Sequence, residues 1–346
     1  MGFKVVNTIH LPGVDFGENL LAPLDAELVN VFGRTEDEII SNAADADAVI
    51  CSGPVQPWTA RVLRSLSKCR IIASLGVGYD RIDLDVATEC NIAVTNVPDY
   101  CIDEVSGMAI ALILALGRKL FTIDKAVREN QINFIPPSRK NLSDIVHPVF
   151  RMRDQTVGII GFGKIGTAVA LKARGLGMRV IAYDPHVFGS VIRSHGAEPA
   201  DFDTLLRESD FISINAALNE ETRNMIGDEE LRQMKSACYL VNTARGEIVD
   251  QPALIRALQE GVIAGAGLDV TTDDPMTEDN PLLGMSNVIL TGHSGWYSVS
   301  SDSDTEFWHK AMAQAVLALK GEWPLYAVNP EAQKKWLEKW GKKPEK

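Results

Sequence analysis

"TVGIIGFGKIGTAVALKARGLGMRVIAYD", Thr156 to Asp184, decides the fold. A short apolar run of strand type enters Gly161, Gly163 and Gly166 in G-x-G-x-x-G spacing. A helical stretch follows, and a second strand-like run ends in Asp184. Glycine at these positions permits a tight turn, close approach of a pyrophosphate and close helix–strand packing. Lys164 and Ile165 complete the turn and open the helix, whose N-terminus offers a positive dipole to phosphate. Asp184 suits the adenosine ribose hydroxyls and repels a 2′-phosphate. No Arg or Lys follows closely in "DPHVFGSV", so the expected cofactor is NAD.

Outward from this unit, strand-length apolar runs alternate with helical segments. "FKVVNTI", "DAVICS", "RIIASL" and "IAVTNV" precede it; "FISINAA", "CYLVNTA", "GAGLDV" and "NVILTG" follow. That alternation predicts α/β architecture with doubly wound parallel sheets covered by helices. We read the chain as two such domains, a Rossmann NAD-binding domain inserted in a flavodoxin-like substrate domain. The boundaries fall at 1–101 and 296–330 for the substrate domain and 102–295 for the cofactor domain, with a charged tail at 331–346 that reads as a packed surface helix. Glu104–Asn130 reads as one long helix, apolar nearly all round, of the kind found at domain or subunit interfaces. "INFIPPSRKNLSDIVHPVFRMRDQ" reads as an irregular connection.

A chain of 346 residues suggests two cores. Its net charge of −12 argues against nucleic acid. The five cysteines are odd in number, scattered and without a C-x-x-C pair, so free thiols in a reducing, cytoplasmic setting are expected. No metal site is proposed. The N-terminal stretch is unlike a signal peptide, no segment reaches membrane-spanning length, and no membrane partner is expected.

Reduction of a 2-oxo acid needs a cation for the carboxylate and ketone, and a proton donor near neutral pKa, which favours histidine. Arg245 follows "YLVNTA", Asp274 follows "GLDVTTD" and His293 follows "NVILTG"; strand ends are where ligands bind in open α/β sheets. Arg245, between Ala244 and Gly246, is not a solvated-surface arginine by its setting. Trp58 and Tyr100 each follow a strand of the first set and are candidates for an aromatic wall, with ordinary packing the plainer reading; Tyr100 is retained as a substrate-binding candidate.

"GFGKIG", "VNTARGEIVD", "GAGLDV" with its acidic-Pro step, and the strand-end histidine together resemble the D-isomer-specific 2-hydroxyacid dehydrogenases. The motif order fits from about Val5 to Asn329. "INAALNEETRNMI" and "HSGWYS" look like the branch containing the C-terminal binding proteins, corepressors that bind NAD. The resemblance implies an NAD-dependent oxidoreductase interconverting 2-oxo and D-2-hydroxy acids. It implies Arg245 on the substrate carboxylate and carbonyl, His293 as acid/base, and Asp269 on the nicotinamide carboxamide. Val77 and Gly78 amides would meet the carboxylate. Thr243, Ala244, His293 and Gly295 would lie along the nicotinamide end, with Ala216, Asn219 and Thr222 lining the cofactor cleft. Trp296 would face the substrate, favouring one larger than glyoxylate or pyruvate. A homodimer through the helix after Asp103 is also implied. The alternative is an NAD-sensing scaffold with weak dehydrogenase activity; the short chain end, lacking a Pro/Ser/Gly-rich extension, speaks against it. Two residues depart from the family pattern: Asp274, where glutamate is usual, and Asn215, where histidine is common.

Overall fold

The computed structural model describes residues 2–132, 138–273, 276–299 and 306–342. The chain divides into two units, Met1–Tyr100 with Ser298–Lys346, and Cys101–Tyr297.

The first unit carries a five-stranded parallel sheet, β1 (Phe3–Asn7), β2 (Ala26–Asn30), β3 (Ala48–Ser52), β4 (Ile71–Leu75) and β5 (Ala93–Thr95), in the order β2-β1-β3-β4-β5. This is the flavodoxin-like order. Alternation of side chains feeds two cores from the same strands. Val5, Ile50 and Ile71 join one; Val6, Val49 and Ile72 join the other. The second core includes residues of α1 (Glu36–Ala43), α2 (Ala60–Ser65) and α3 (Leu84–Glu89).

The second unit carries seven parallel strands: β6 (Thr156–Ile160), β7 (Arg179–Tyr183), β8 (Glu198–Pro199), β9 (Phe211–Ile214), β10 (Tyr239–Asn242), β11 (Gly265–Leu268) and β12 (Val288–Leu290). Their order, β12-β11-β10-β9-β6-β7-β8, is the Rossmann order with a seventh strand, and the direction of winding reverses between β6 and β9.

Three local features differ from the sequence reading. The long helix is two, α4 (Ile102–Gly117) and α5 (Leu120–Arg128), bent by 57°. Lys119 adopts a left-handed φ of 50° at the break, which lysine tolerates poorly and composition does not announce. Ala109, Leu112, Ile113 and Leu116 of α4 share a core with Val157, Ile159 and Val169 of this unit, so burial accounts for its apolar character. Part of the expected irregular connection is helical, α6 (Ser138–Val146).

The remaining α-helices of this unit are α7 (Lys164–Gly175), α8 (Gly189–Ser194), α9 (Phe202–Glu208), α10 (Asp228–Gln233) and α11 (Gln251–Glu260). The first unit closes with α12 (Glu306–Leu319) and α13 (Gln333–Trp340). The charged tail is no appendage: Trp336 on α13 is fully buried and its Nε1 donates to the Arg70 carbonyl at 2.7 Å.

Candidate active site

A single line of residues organises the second unit. The last paired residues of six strands, Tyr183, Ile160, Ile214, Asn242, Leu268 and Leu290, are mutually in register. One position further on stand Asp184, Gly161, Asn215, Thr243, Asp269 and Thr291. Backbone bonds continue across this row: Gly161 N–H to Tyr183 O, Asn215 N–H to Ile160 O, Asp269 N–H to Asn242 O and Thr291 N–H to Leu268 O, at 2.7–3.1 Å. Most of the polar candidates therefore lie at or just beyond one edge, at the carboxyl ends where winding reverses.

The glycines have separable reasons. Gly161 has φ +87°, and a Cβ there would sit 2.6 Å from Ala216 N. A Cβ on Gly166 would lie 2.0 Å from Gly161 O, so this glycine seats α7 against its strand. Gly163 would meet nothing within 4 Å among the described residues. As the N-cap of α7 it brings no capping side chain, leaving the first-turn N–H groups to an anion. Lys164 is exposed, while Ile165 packs on the core. Asp184 is fixed by both oxygens: Phe162 N–H donates to Oδ2 at 2.7 Å and His186 N–H to Oδ1 at 2.9 Å. Mid-row, Asn215 Oδ1 and Thr243 Oγ1 are buried without hydrogen-bond partners among the described residues, a cost of about 1–3 kcal/mol each that an arriving polar group relieves. Open space at Gly163, an uncapped helix start and an anchored carboxylate fit a dinucleotide. Ala216 borders Gly161, whereas Asn219 and Thr222 serve their own turn. Asn219 Oδ1 accepts from Thr222 N–H at 2.9 Å, and Thr222 Oγ1 donates to Ala217 O at 2.7 Å.

Arg245 is half-buried and its turn is built by Asn242. The Asn242 amide donates to Arg245 O at 2.8 Å and accepts from Ala244 N–H at 3.0 Å. Arg245 Nη1 donates to Ala244 O at 2.7 Å. Gly246 must be small: a Cβ would lie 2.1 Å from the Thr271 carbonyl carbon. Asp274, the expected carboxylate partner of the histidine, lies outside the described residues. His293 sits in a left-handed turn, φ 56°, with its N–H on Asp269 O at 2.5 Å. Gly295 is buried, and Trp296 meets Tyr297 edge to face at 5.7 Å.

The other substrate candidates belong to the first unit. Gly76 has φ +89° and precedes Val77 and Gly78; the Tyr100 hydroxyl stands 3.9 Å from where a Gly76 Cβ would be. The Tyr100 ring packs on Phe307 at 4.3 Å. Asn96, which composition did not single out, donates from Nδ2 to Val77 O at 2.7 Å, and Val97 N–H bonds Gly76 O at 2.8 Å. Trp58 is fully buried in the core, so packing is its role.

Fold and row define a nicotinamide-dinucleotide oxidoreductase of the NAD type. The family model for the D-isomer specific 2-hydroxyacid dehydrogenase, NAD binding domain, matches residues 110–295. A glyoxylate reductase of Korarchaeum cryptofilum is 39% identical over 300 residues, covering 86% of each chain. The crystal structure of a glyoxylate reductase from Paecilomyes thermophila superposes with a TM-score of 0.83 at 28% identity, covering 94% of this chain and 98% of that one. That of D-lactate dehydrogenase from Aquifex aeolicus, complexed with NAD and lactic acid, gives a TM-score of 0.79 at 28% identity, covering 96% and 98%. The chain belongs to the D-isomer specific 2-hydroxyacid dehydrogenase family. The corepressor-like alternative draws no support from these relatives.

Proposed function

We propose that the protein reduces a 2-oxo acid to its D-2-hydroxy acid, with His293 as proton donor and Arg245 as carboxylate and carbonyl ligand. NAD in its reduced form supplies the hydride. The Arg245 guanidinium pairs with the carboxylate and draws charge from the carbonyl oxygen. The imidazole of His293 delivers a proton to that oxygen as C2 is reduced, and takes it back in oxidation. Val77 and Gly78 amides are assigned to the carboxylate, and Tyr100 and Trp296 to the substituent, on the resemblance alone. Asp274 is assigned as the histidine's partner on the resemblance alone.

The observation that carries this reading is that Arg245 and His293 each stand two residues past the same register row that bears the dinucleotide residues. Relatives named glyoxylate reductase support the 2-oxo acid class. Loss of NADH absorbance should follow addition of at least one acid from a 2-oxo acid panel, and Arg245→Ala and His293→Ala should each lower kcat/KM by about a thousandfold or more. Full activity in either variant would reject its role.

We propose a homodimer as the working form. Leu120, Phe121 and Val127 on α5 are all more than half exposed, an unusual cost for one short helix that a second copy would remove. A cytoplasmic setting agrees with five cysteines, four of them buried.

A further inference from the structure

Family resemblance gives Asp269 to the nicotinamide carboxamide. Its surroundings give it a second task. The residue is only 4% exposed. Oδ1 accepts from Thr291 Oγ1 at 2.5 Å, Ser294 N–H at 3.0 Å and Gly295 N–H at 3.2 Å, and Oδ2 accepts from Gly295 N–H at 3.0 Å. The Asp269 carbonyl receives His293 N–H at 2.5 Å. One residue thus holds Thr291, His293, Ser294 and Gly295. Ser294 Oγ closes the turn on Thr291 O at 2.7 Å.

The turn needs such a hold. His293 has φ 56° and follows Gly292 at φ 58°. A residue bearing a Cβ is strained in the left-handed region and stays there only where its surroundings over-determine it. A buried carboxylate with charge-assisted bonds to a hydroxyl and two amides supplies that determination. Gly295 leaves it room, since a Cβ there would come 2.7 Å from Asp269 Oδ2.

We infer that Asp269 is a positioning residue: it fixes the left-handed turn that aims the His293 imidazole, and it acts on the reaction through that turn. The inference rests on His293 being the acid/base.

Asp269→Asn and, independently, Thr291→Val test it. In Asp269→Asn, kcat should fall about a hundredfold, as expected for loss of charge-assisted bonds, with KM and the NADH dissociation constant within about twofold of wild type. Thr291→Val should move the same way by about tenfold. Amide exchange measured by mass spectrometry should accelerate at Ser294 and Gly295 and stay unchanged in β6 and β7. A tenfold weaker NADH affinity with unchanged exchange at Ser294 and Gly295 would overturn the inference and return Asp269 to the cofactor. Exchange that accelerates throughout the unit would also overturn it, as general destabilisation. His293→Ala with full turnover would sink the acid/base reading instead, while the exchange result would still report on the clamp.

Discussion

Gly161 and Gly163 are two residues apart in one motif, yet alanine should act on them in opposite ways. At Gly161 the new methyl meets Ala216 N at 2.6 Å and Ala216 Cα at 2.7 Å, both backbone atoms. The strand cannot retreat, because Gly161 N–H is bonded to Tyr183 O and Asn215 N–H to Ile160 O. Left-handed strain of about 1–2 kcal/mol adds to an overpacking cost of about 1–3 kcal/mol, so Gly161→Ala should destabilise the unit by roughly 2–5 kcal/mol. At about 2–4 °C per kcal/mol for a unit of this size, Tm should drop by roughly 4–20 °C. At Gly163, φ is −75° and nothing among the described residues lies within 4 Å of the added carbon. Gly163→Ala should keep Tm within about 4 °C, because a Gly-to-Ala change at an N-cap costs only a fraction of a kcal/mol to about one. The methyl instead occupies the approach to the first turn of α7, so the NADH dissociation constant should rise about tenfold or more. Differential scanning calorimetry and fluorescence titration with NADH read the two effects separately. A Gly163→Ala protein binding NADH like wild type would refute placement of the pyrophosphate there. A Gly161→Ala protein melting like wild type would refute the steric argument.

Asn96→Asp puts a carboxylate against the Val77 carbonyl in place of a donor at 2.7 Å; KM for the 2-oxo acid should rise about tenfold while NADH affinity holds, and an unchanged KM would separate Asn96 from the substrate loop. Trp336→Ala removes a fully buried ring that packs on Trp323 at 5.4 Å and bonds Arg70 O; a loss of about 3–5 kcal/mol in denaturant unfolding is expected, and less than about 1 kcal/mol would contradict the packing. Burial pushes the Cys69 and Cys238 thiols up to about 12 and raises Cys51 well above its ordinary value. Iodoacetamide at pH 8 should therefore label half-buried Cys90 first, and these three only on unfolding, as peptide mass mapping would show.

Most of the architecture was legible because buried parallel strands are continuous apolar runs, and ten of them stand out against helical or glycine-marked neighbours. The two strands that escaped are β2, "AELVN", and β8, "EP", both at sheet edges. Both are too short or too polar to read as apolar runs, whereas the other two edge strands, β5 and β12, are apolar and stand out. The glycine motif, Asp184, Arg245 and His293 were legible from position relative to strand ends. What supports them was not. Asn96 and Asn242 act through side-chain bonds to carbonyls that no spacing encodes. The break at Lys119 depends on a backbone angle, and the anchoring of Trp336 depends on Arg70, distant in sequence.

That anchoring bears on how the chain folds as it is made. The unit from Cys101 to Tyr297 is one continuous segment, whereas the other is assembled from both sides of it. Its core draws on Val5, Ile50 and Ile71 at the start and on Met312, Ala315 and Trp336 near the end. At a synthesis rate of about 5–20 residues per second, the middle segment has its whole core available while the first hundred residues still lack α12 and α13. The N-terminal strands are thus made before the middle segment yet complete their core after it, and until then they depend on protection that the finished protein supplies for itself.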